Sequence, residues 1–218
     1  MHRGGKMASQ WQEQKKYLTG YKKFMNEEEI KKLLNYMGIM TEQMRMIFLI
    51  MIFTGMRVSE VVSLKKDCIM GDKITFRQAK NKRLHTRILN TRIKDLLYEY
   101  FKKFEDKFID GYIFPPLNNN SKNTHIQTAS VRWAMKKFRD SYKLNDIYYI
   151  RRNKMQLNRI SVHTIRHYFL TKFYSLSNDI LLTAEVIGHK KIEQTVEYIK
   201  AWKRLEREKE IVEKMEIC

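Results

Sequence analysis

Cysteine and proline are almost absent from this chain, with two of each in 218 residues, and glycine occurs only eight times. Two thiols, Cys68 and Cys218, can neither build a disulfide framework nor complete a four-ligand zinc site alone. So little turn punctuation favours helices over a many-stranded β fold. No apolar run reaches 18 residues, and the most apolar stretch, residues 47–53, has the length of a core helix segment. The opening Met1-His2-Arg3-Gly4-Gly5-Lys6 lacks the apolar region of a signal peptide. Acid is scarce too: 24 Asp and Glu stand against 43 Lys and Arg, a formal charge of +19. That charge rides on a chain that is 43% hydrophobic and 12% aromatic, which excludes a disordered basic tail. These features imply a soluble cytoplasmic protein with no membrane partner, and a polyanion, nucleic acid foremost, as its ligand.

Residues 1–25 are polar and basic, and read as an arm or linker remnant too short for a domain. Asn26 and Glu29 form a capping-box pair ahead of Ile30, Leu33, Leu34 and Met37, which fall on one helical face; Gly38 stands where a C-cap belongs. A second helix is expected over residues 41–53, breaking at Thr54-Gly55. A third would turn Val58, Val61, Val62 and Leu64 inward. Between residues 69 and 89 the pattern changes to short alternating runs around a Gly71-Asp72 turn and the basic Lys80-Asn81-Lys82-Arg83, a small antiparallel sheet with a basic turn. Helices return around Ile93–Phe101 and Val131–Phe138, followed by an irregular stretch over residues 142–160 rich in Tyr and Arg. The remainder reads as a helix from Val162, a helix over 178–187 stopped by Gly188, a short helix carrying Tyr198, and a charged tail. The fold class is mainly α with one small antiparallel sheet (α+β).

Chemistry concentrates in four segments. Thr54-Gly55-Met56-Arg57-Val58-Ser59-Glu60 sets an arginine at a glycine turn leading into a helix. His163-Thr164-Ile165-Arg166 places an imidazole and a guanidinium on one helical face. Gly188-His189 puts a histidine directly after a helix stop, and Tyr198 lies nine residues beyond it. His2, His85, His125 and His167 share no metal-ligand spacing and read, with Tyr168, as core or surface residues. No acidic cluster suited to Mg²⁺ accompanies the four segments.

In this order and spacing the segments resemble the tyrosine recombinase (phage integrase) family. Its catalytic domain carries an arginine in a T-G-x-R-x-S-E box, a lysine in a β-hairpin, then H-x-x-R, G-H, and a tyrosine nine residues after that histidine. The resemblance covers residues 26–202 and implies a catalytic domain there, with Arg57, His163, Arg166, His189 and the nucleophile Tyr198 as its catalytic residues. Thr195 matches a threonine usual in that stretch. The hairpin lysine is Lys82 or Lys80: spacing from Arg87 favours the first, the Ala79-Lys80-Asn81 context the second. Asn90 stands where the family often has proline, Val162 replaces a proline, and Ile187 replaces a leucine.

The residues suit metal-free phosphodiester opening without a cofactor. A tyrosine supplies the nucleophile and stores the bond as a 3′-phosphotyrosine. Two arginines offer planar forks for the non-bridging oxygens. His163 would move the tyrosine proton, His189 would bond the phosphate, and the lysine would protonate the leaving 5′ oxygen. Double-stranded DNA is the implied partner, with Lys80, Lys82, Arg83, Arg151, Arg152 and Lys154 as candidate DNA contacts. Residues 203–218 form an amphipathic tail helix through Leu205, Val212 and Met215, following Trp202. The resemblance implies that such a tail docks on a neighbouring protomer, giving a homo-oligomer, a tetramer, on nucleoid DNA. No full N-terminal clamping domain is expected within these residues. Type IB topoisomerases share the chemistry, and an inactive DNA-binding regulator could share the fold; the T-G-x-R-x-S-E and G-H contexts favour a site-specific recombinase.

Overall fold

The structure, a computed structural model, describes residues 24–78, 83–118, 121–145, 147–150 and 156–215, with backbone alone for 147–150, 156, 157 and 209. Most of the expected arm, Lys80, Lys82, Arg151, Arg152 and Lys154 lie outside the described residues.

Helix α1 (Glu27–Tyr36) begins where the capping box sets it. The Asn26 side chain accepts from the Glu29 N–H at 2.8 Å, and Glu29 accepts from the Asn26 N–H at 2.9 Å. Glu29 also receives the Arg159 guanidinium, whose Nη1 reaches the Phe24 carbonyl at 3.0 Å. Residues just ahead of α1 are thereby tied to the chain entering the later helices, and Met25 is buried in the core rather than in an arm. Gly38 does not end α1 with a left-handed cap. The helix tightens into a 3₁₀ turn over Met37–Ile39 instead.

Helix α2 (Glu42–Thr54) is buried nearly all round, from Met44 to Thr54, and is the axis of the core. Full burial of each Ile, Phe or Met there contributes roughly 1.5–3 kcal/mol. It stops at Gly55, whose φ of +64° needs glycine, and whose missing Cβ makes room for the Phe169 ring. The short α3 (Val58–Val62) follows.

The sheet has three antiparallel strands: β1 (Ile69–Met70), β2 (Lys73–Arg77) and β3 (Leu84–Ile88), in that order, with Ile74 opposite Arg87 and Phe76 opposite His85. Helices α4 (Thr91–Phe104) and α5 (Thr128–Ser141) come next. Where an irregular stretch was expected, β4 (Ile147–Ile150) and β5 (Gln156–Asn158) pair as a second antiparallel hairpin. Then come α6 (Val162–Ser177), α7 (Ile180–Ile187) and α8 (Ile192–Glu213). The expected short helix at Tyr198 and the tail are one continuous helix of 22 residues. A main core gathers around α2, and a smaller one, Leu170, Tyr174, Ile187 and Ile199, glues α6, α7 and α8 together. Tyr198 and Trp202 pack on the edge of the smaller core. Among the described residues no helix is long and apolar enough to cross a membrane.

Candidate active site

The glycine turn between α2 and α3 sets Arg57 in extended backbone at the start of α3. Glu60, one turn on and buried, accepts from the Arg57 N–H at 2.8 Å and from its Nη1 at 2.9 Å. This charge-assisted pair fixes the arginine at the surface edge, its guanidinium half-buried. The terminal glutamate of the T-G-x-R-x-S-E box therefore acts as the clamp of its arginine.

Arg166 sits one turn into α6 and is only 3% exposed. Its Nη1 donates to the Gly55 carbonyl at 2.6 Å and its Nη2 to the Ile187 carbonyl. One guanidinium thus joins the turn ahead of Arg57 to the end of α7 ahead of His189. Burial, with nearby Arg57 adding repulsion, pushes its pKa down to about 9, which leaves it cationic at neutral pH. His163, on the preceding turn, is exposed. The shared face that sequence spacing gives this pair holds, but one member is solvent-facing and the other is internal.

Gly188 closes α7 at φ +73° and releases the chain into His189. The His189 Nδ1 and the fully buried Thr195 hydroxyl lie 2.8 Å apart, so the start of α8 orients the imidazole. Tyr198, one turn later, stacks near His189 with ring centroids 6.1 Å apart. Its other flank meets His167, at 4.5 Å, and the edge of Phe24, at 6.4 Å. His167 in turn touches His163 at 4.6 Å. Three imidazoles therefore border or approach the phenol ring, and the buried one, His167, had no motif to mark it beyond its place after Arg166.

A cleft of about 670 Å³ opens over the first group. Arg57, His163 and Arg166 form one wall, and Arg132, Lys136 and Arg139 from α5 form the other. Trp133, 62% exposed, also lines it, with the Lys137 ammonium 5.0 Å from its ring. Tyr198 and His189 do not line this cleft; the His163–His167 contact and the Arg166 bridge connect them to it. Sequence reading passed over the α5 cations, because their spacing alone is that of a solvated helix face. Arg83 is exposed beside β3, while the two hairpin lysines lie outside the described residues. Among the described residues no three His, Cys, Asp or Glu side chains gather in a metal-binding group.

A sequence model of the phage integrase family matches residues 23–204. The chain belongs to the phage integrase family. Its curated relatives include the tyrosine recombinase XerH of Campylobacter jejuni, 27% identical over 177 residues, and the tyrosine recombinase XerA of Thermococcus onnurineus, 24% identical over 179. The alignments cover 76% and 82% of this chain but 45% and 58% of those proteins, so the chain spans about half the length of the relatives it matches. The integrase-family fold is shared with solved structures. A crystal structure of XerA recombinase superposes with a TM-score of 0.67 at 19% identity, covering 89% of this chain and 66% of that one. The catalytic domain of bacteriophage HP1 integrase gives 0.56 at 22% identity, covering 82% and 87%. XerH site-specific recombinase bound to its difH substrate, in a pre-cleavage complex, gives 0.61 at 21%, covering 81% and 50%.

Proposed function

We propose that residues 26–202 are the catalytic domain of a site-specific DNA recombinase that cuts and rejoins strands through a 3′-phosphotyrosine. The observation that carries this reading is the convergence of Arg57, Arg166 and His163 on a cationic cleft, with Tyr198 held one imidazole away. A scissile phosphate laid in the cleft would meet two guanidiniums. Both are already oriented, Arg57 by Glu60 and Arg166 by two carbonyls, so little reorganisation is needed as charge grows on the non-bridging oxygens. With Tyr198 brought from its place beside His167 to the phosphate, its oxygen would attack phosphorus, the phenolic proton would pass to His163, and the P–O5′ bond would break. The leaving 5′ oxygen takes a proton from Lys82 or Lys80. The Thr195 contact on Nδ1 makes Nε2 the His189 nitrogen that would face the phosphate. Religation runs the same steps backwards, so no high-energy cofactor is consumed.

The DNA-bound state of XerH, and that of a λ integrase dimer on a core site, support duplex DNA as the partner. Arg83, Arg151, Arg152 and Lys154 would contact the DNA backbone, with the α5 cations bearing on it at the cleft. Exposed Ile211, Val212 and Met215 at the end of α8 support docking of residues 203–218 on a neighbouring protomer, as in a DNA-bound tetramer. The reading places the protein in the cytoplasm, on the nucleoid.

Nicked duplex DNA, on which cleavage releases a short strand and blocks religation, tests it. The wild-type chain should form a covalent adduct in the presence of EDTA. Tyr198→Phe should form none while keeping its DNA affinity within about twofold. An adduct in the phenylalanine variant would overturn the nucleophile assignment, and no adduct in the wild type would favour a binding-only protein.

A further inference from the structure

In the hairpin formed by β2 and β3, β2 faces the core with Ile74 and Phe76, but β3 faces it with the wrong residue. Leu84 and Ile88 are 64% and 69% exposed, while Arg87 between them is 5% exposed. A strand that turns leucine and isoleucine to solvent and arginine inward is inverted relative to the usual pattern. Arg87 donates from Nε to the Thr54 carbonyl at 3.2 Å and from Nη1 to the Thr86 carbonyl at 3.1 Å. Its Nη2 is buried with no hydrogen-bond partner among the described residues. Burial pushes the Arg87 pKa down to about 10, so the group is held inside as a cation. Just beyond β2, Gln78 is equally internal. Its backbone N–H meets the Arg83 carbonyl at 2.8 Å, and its Nε2 points to the Gly188 carbonyl at 3.5 Å. The Gln78 amide fills the space that a Cβ on Gly188 would take, with the His85 ring beside it.

These contacts fall on carbonyls adjacent to those that Arg166 takes. Arg166 holds Gly55 and Ile187; Arg87 and Gln78 reach Thr54 and Gly188. The same two backbone segments, one leading to Arg57 and one to His189, are gripped from the α6 side by one guanidinium and from the hairpin side by two polar residues.

We propose that Gln78 and Arg87 are positioning residues that register the hairpin, and with it the leaving-group end of the site, on the segments carrying Arg57 and His189. The inference rests on the reading that a lysine between them in sequence, Lys80 or Lys82, protonates the departing 5′ oxygen. Misregistering the hairpin should therefore damage leaving-group protonation and spare the phosphate's contacts with Arg57 and Arg166. Displacement of an acid by even an ångström costs up to about a hundredfold in rate.

A 5′-bridging phosphorothiolate separates these effects, because its thiolate leaves without needing a proton. In single-turnover cleavage Gln78→Ala, Gln78→Met and Arg87→Lys should each cut the ordinary substrate about 10- to 100-fold more slowly than wild type. Each should cut the sulfur substrate within about threefold of wild type. Gln78→Met keeps the volume over Gly188, so loss of packing is not the cause of its defect, and melting curves report folding for all three. Arg166→Ala should be slow on both substrates. Lys80→Ala and Lys82→Ala, run in parallel, show which lysine sulfur restores. Variants of Gln78 and Arg87 that are equally slow on both substrates, or fast on both, overturn the positioning role. Restoration of those variants but of neither lysine variant keeps the role and removes the lysine assignment instead.

Discussion

Arg166 illustrates how one side chain would serve both the fold and the proposed chemistry. Both of its terminal nitrogens hold backbone carbonyls, from segments 21 and 111 residues away in sequence. A lysine in its place would keep a charge but could not span both acceptors, since its donors radiate from one point. Arg166→Lys is therefore expected to lose cleavage nearly as far as Arg166→Ala, for which removal of one transition-state donor costs about 2.7–4 kcal/mol. Single-turnover rates on nicked DNA would check this, and a lysine variant cleaving at the wild-type rate would show that the fork is not needed. His167 offers a second test. Its ring is the nearest aromatic neighbour of Tyr198 among the described contacts, and truncating it leaves the phenol free to tilt. His167→Ala should slow cleavage about tenfold, and His167→Phe, which restores a flat ring, should recover part of the loss. Equal rates in both variants would mean that the ring contact does not set the tilt of the phenol. The motif residues were legible in sequence because each is tied to a local backbone event: a glycine turn, a helix start, a helix stop. His167 and Arg87 take their meaning from neighbours far along the chain, and local patterns carry no trace of that.

At the scale of elements, two glycines that look alike in sequence do opposite work. Gly55 needs a left-handed backbone and lies against Phe169, whereas Gly38 sits in a 3₁₀ turn with open space where a Cβ would go. Gly55→Ala should destabilise the domain by about 1–3 kcal/mol through strain and overlap. Gly38→Ala should be neutral or raise stability by about 0.4–1 kcal/mol by narrowing the unfolded ensemble. Thermal or urea unfolding of the pair checks both signs. The elements that sequence reading misplaced share one cause. The β4–β5 hairpin, the short β1 and the unbroken α8 are settled by what packs against them. The two-residue run Ile69–Met70 does not announce itself by periodicity, and the amphipathic pattern beyond Trp202 marks a helix without showing that it continues the one carrying Tyr198. The capping box at Asn26 was legible because its two hydrogen bonds join residues three apart.

For the whole molecule, charge and shape would set the terms of the proposed DNA binding. The cations around the cleft come from α3, α5 and α6, so in the proposed complex the domain would grip the duplex through one basic surface. A footprint of six or more phosphates would make affinity fall on the order of 10³-fold between 50 and 200 mM salt. Such a grip discriminates poorly between sequences, because phosphates carry none, and selectivity is expected to grow when several protomers assemble on paired sites. The end of α8 is where that assembly should be controlled. Trp202 and Leu205 are half-buried against the body of the domain, and Trp202 meets Tyr174 edge-on, so the helix is anchored as far as that turn. Beyond it Ile211, Val212 and Met215 are exposed, an apolar end that none of the described residues covers. Replacing Ile211 and Val212 by lysine should leave Tyr198 seated and single-site binding unchanged, while two-site complexes on native gels fall at least about tenfold. Cleavage of nicked DNA by isolated protomers should persist and recombination between two sites should fail. If the double variant assembled and recombined as wild type does, the exposed end of α8 would have no part in joining protomers, and their coupling would have to run through another surface.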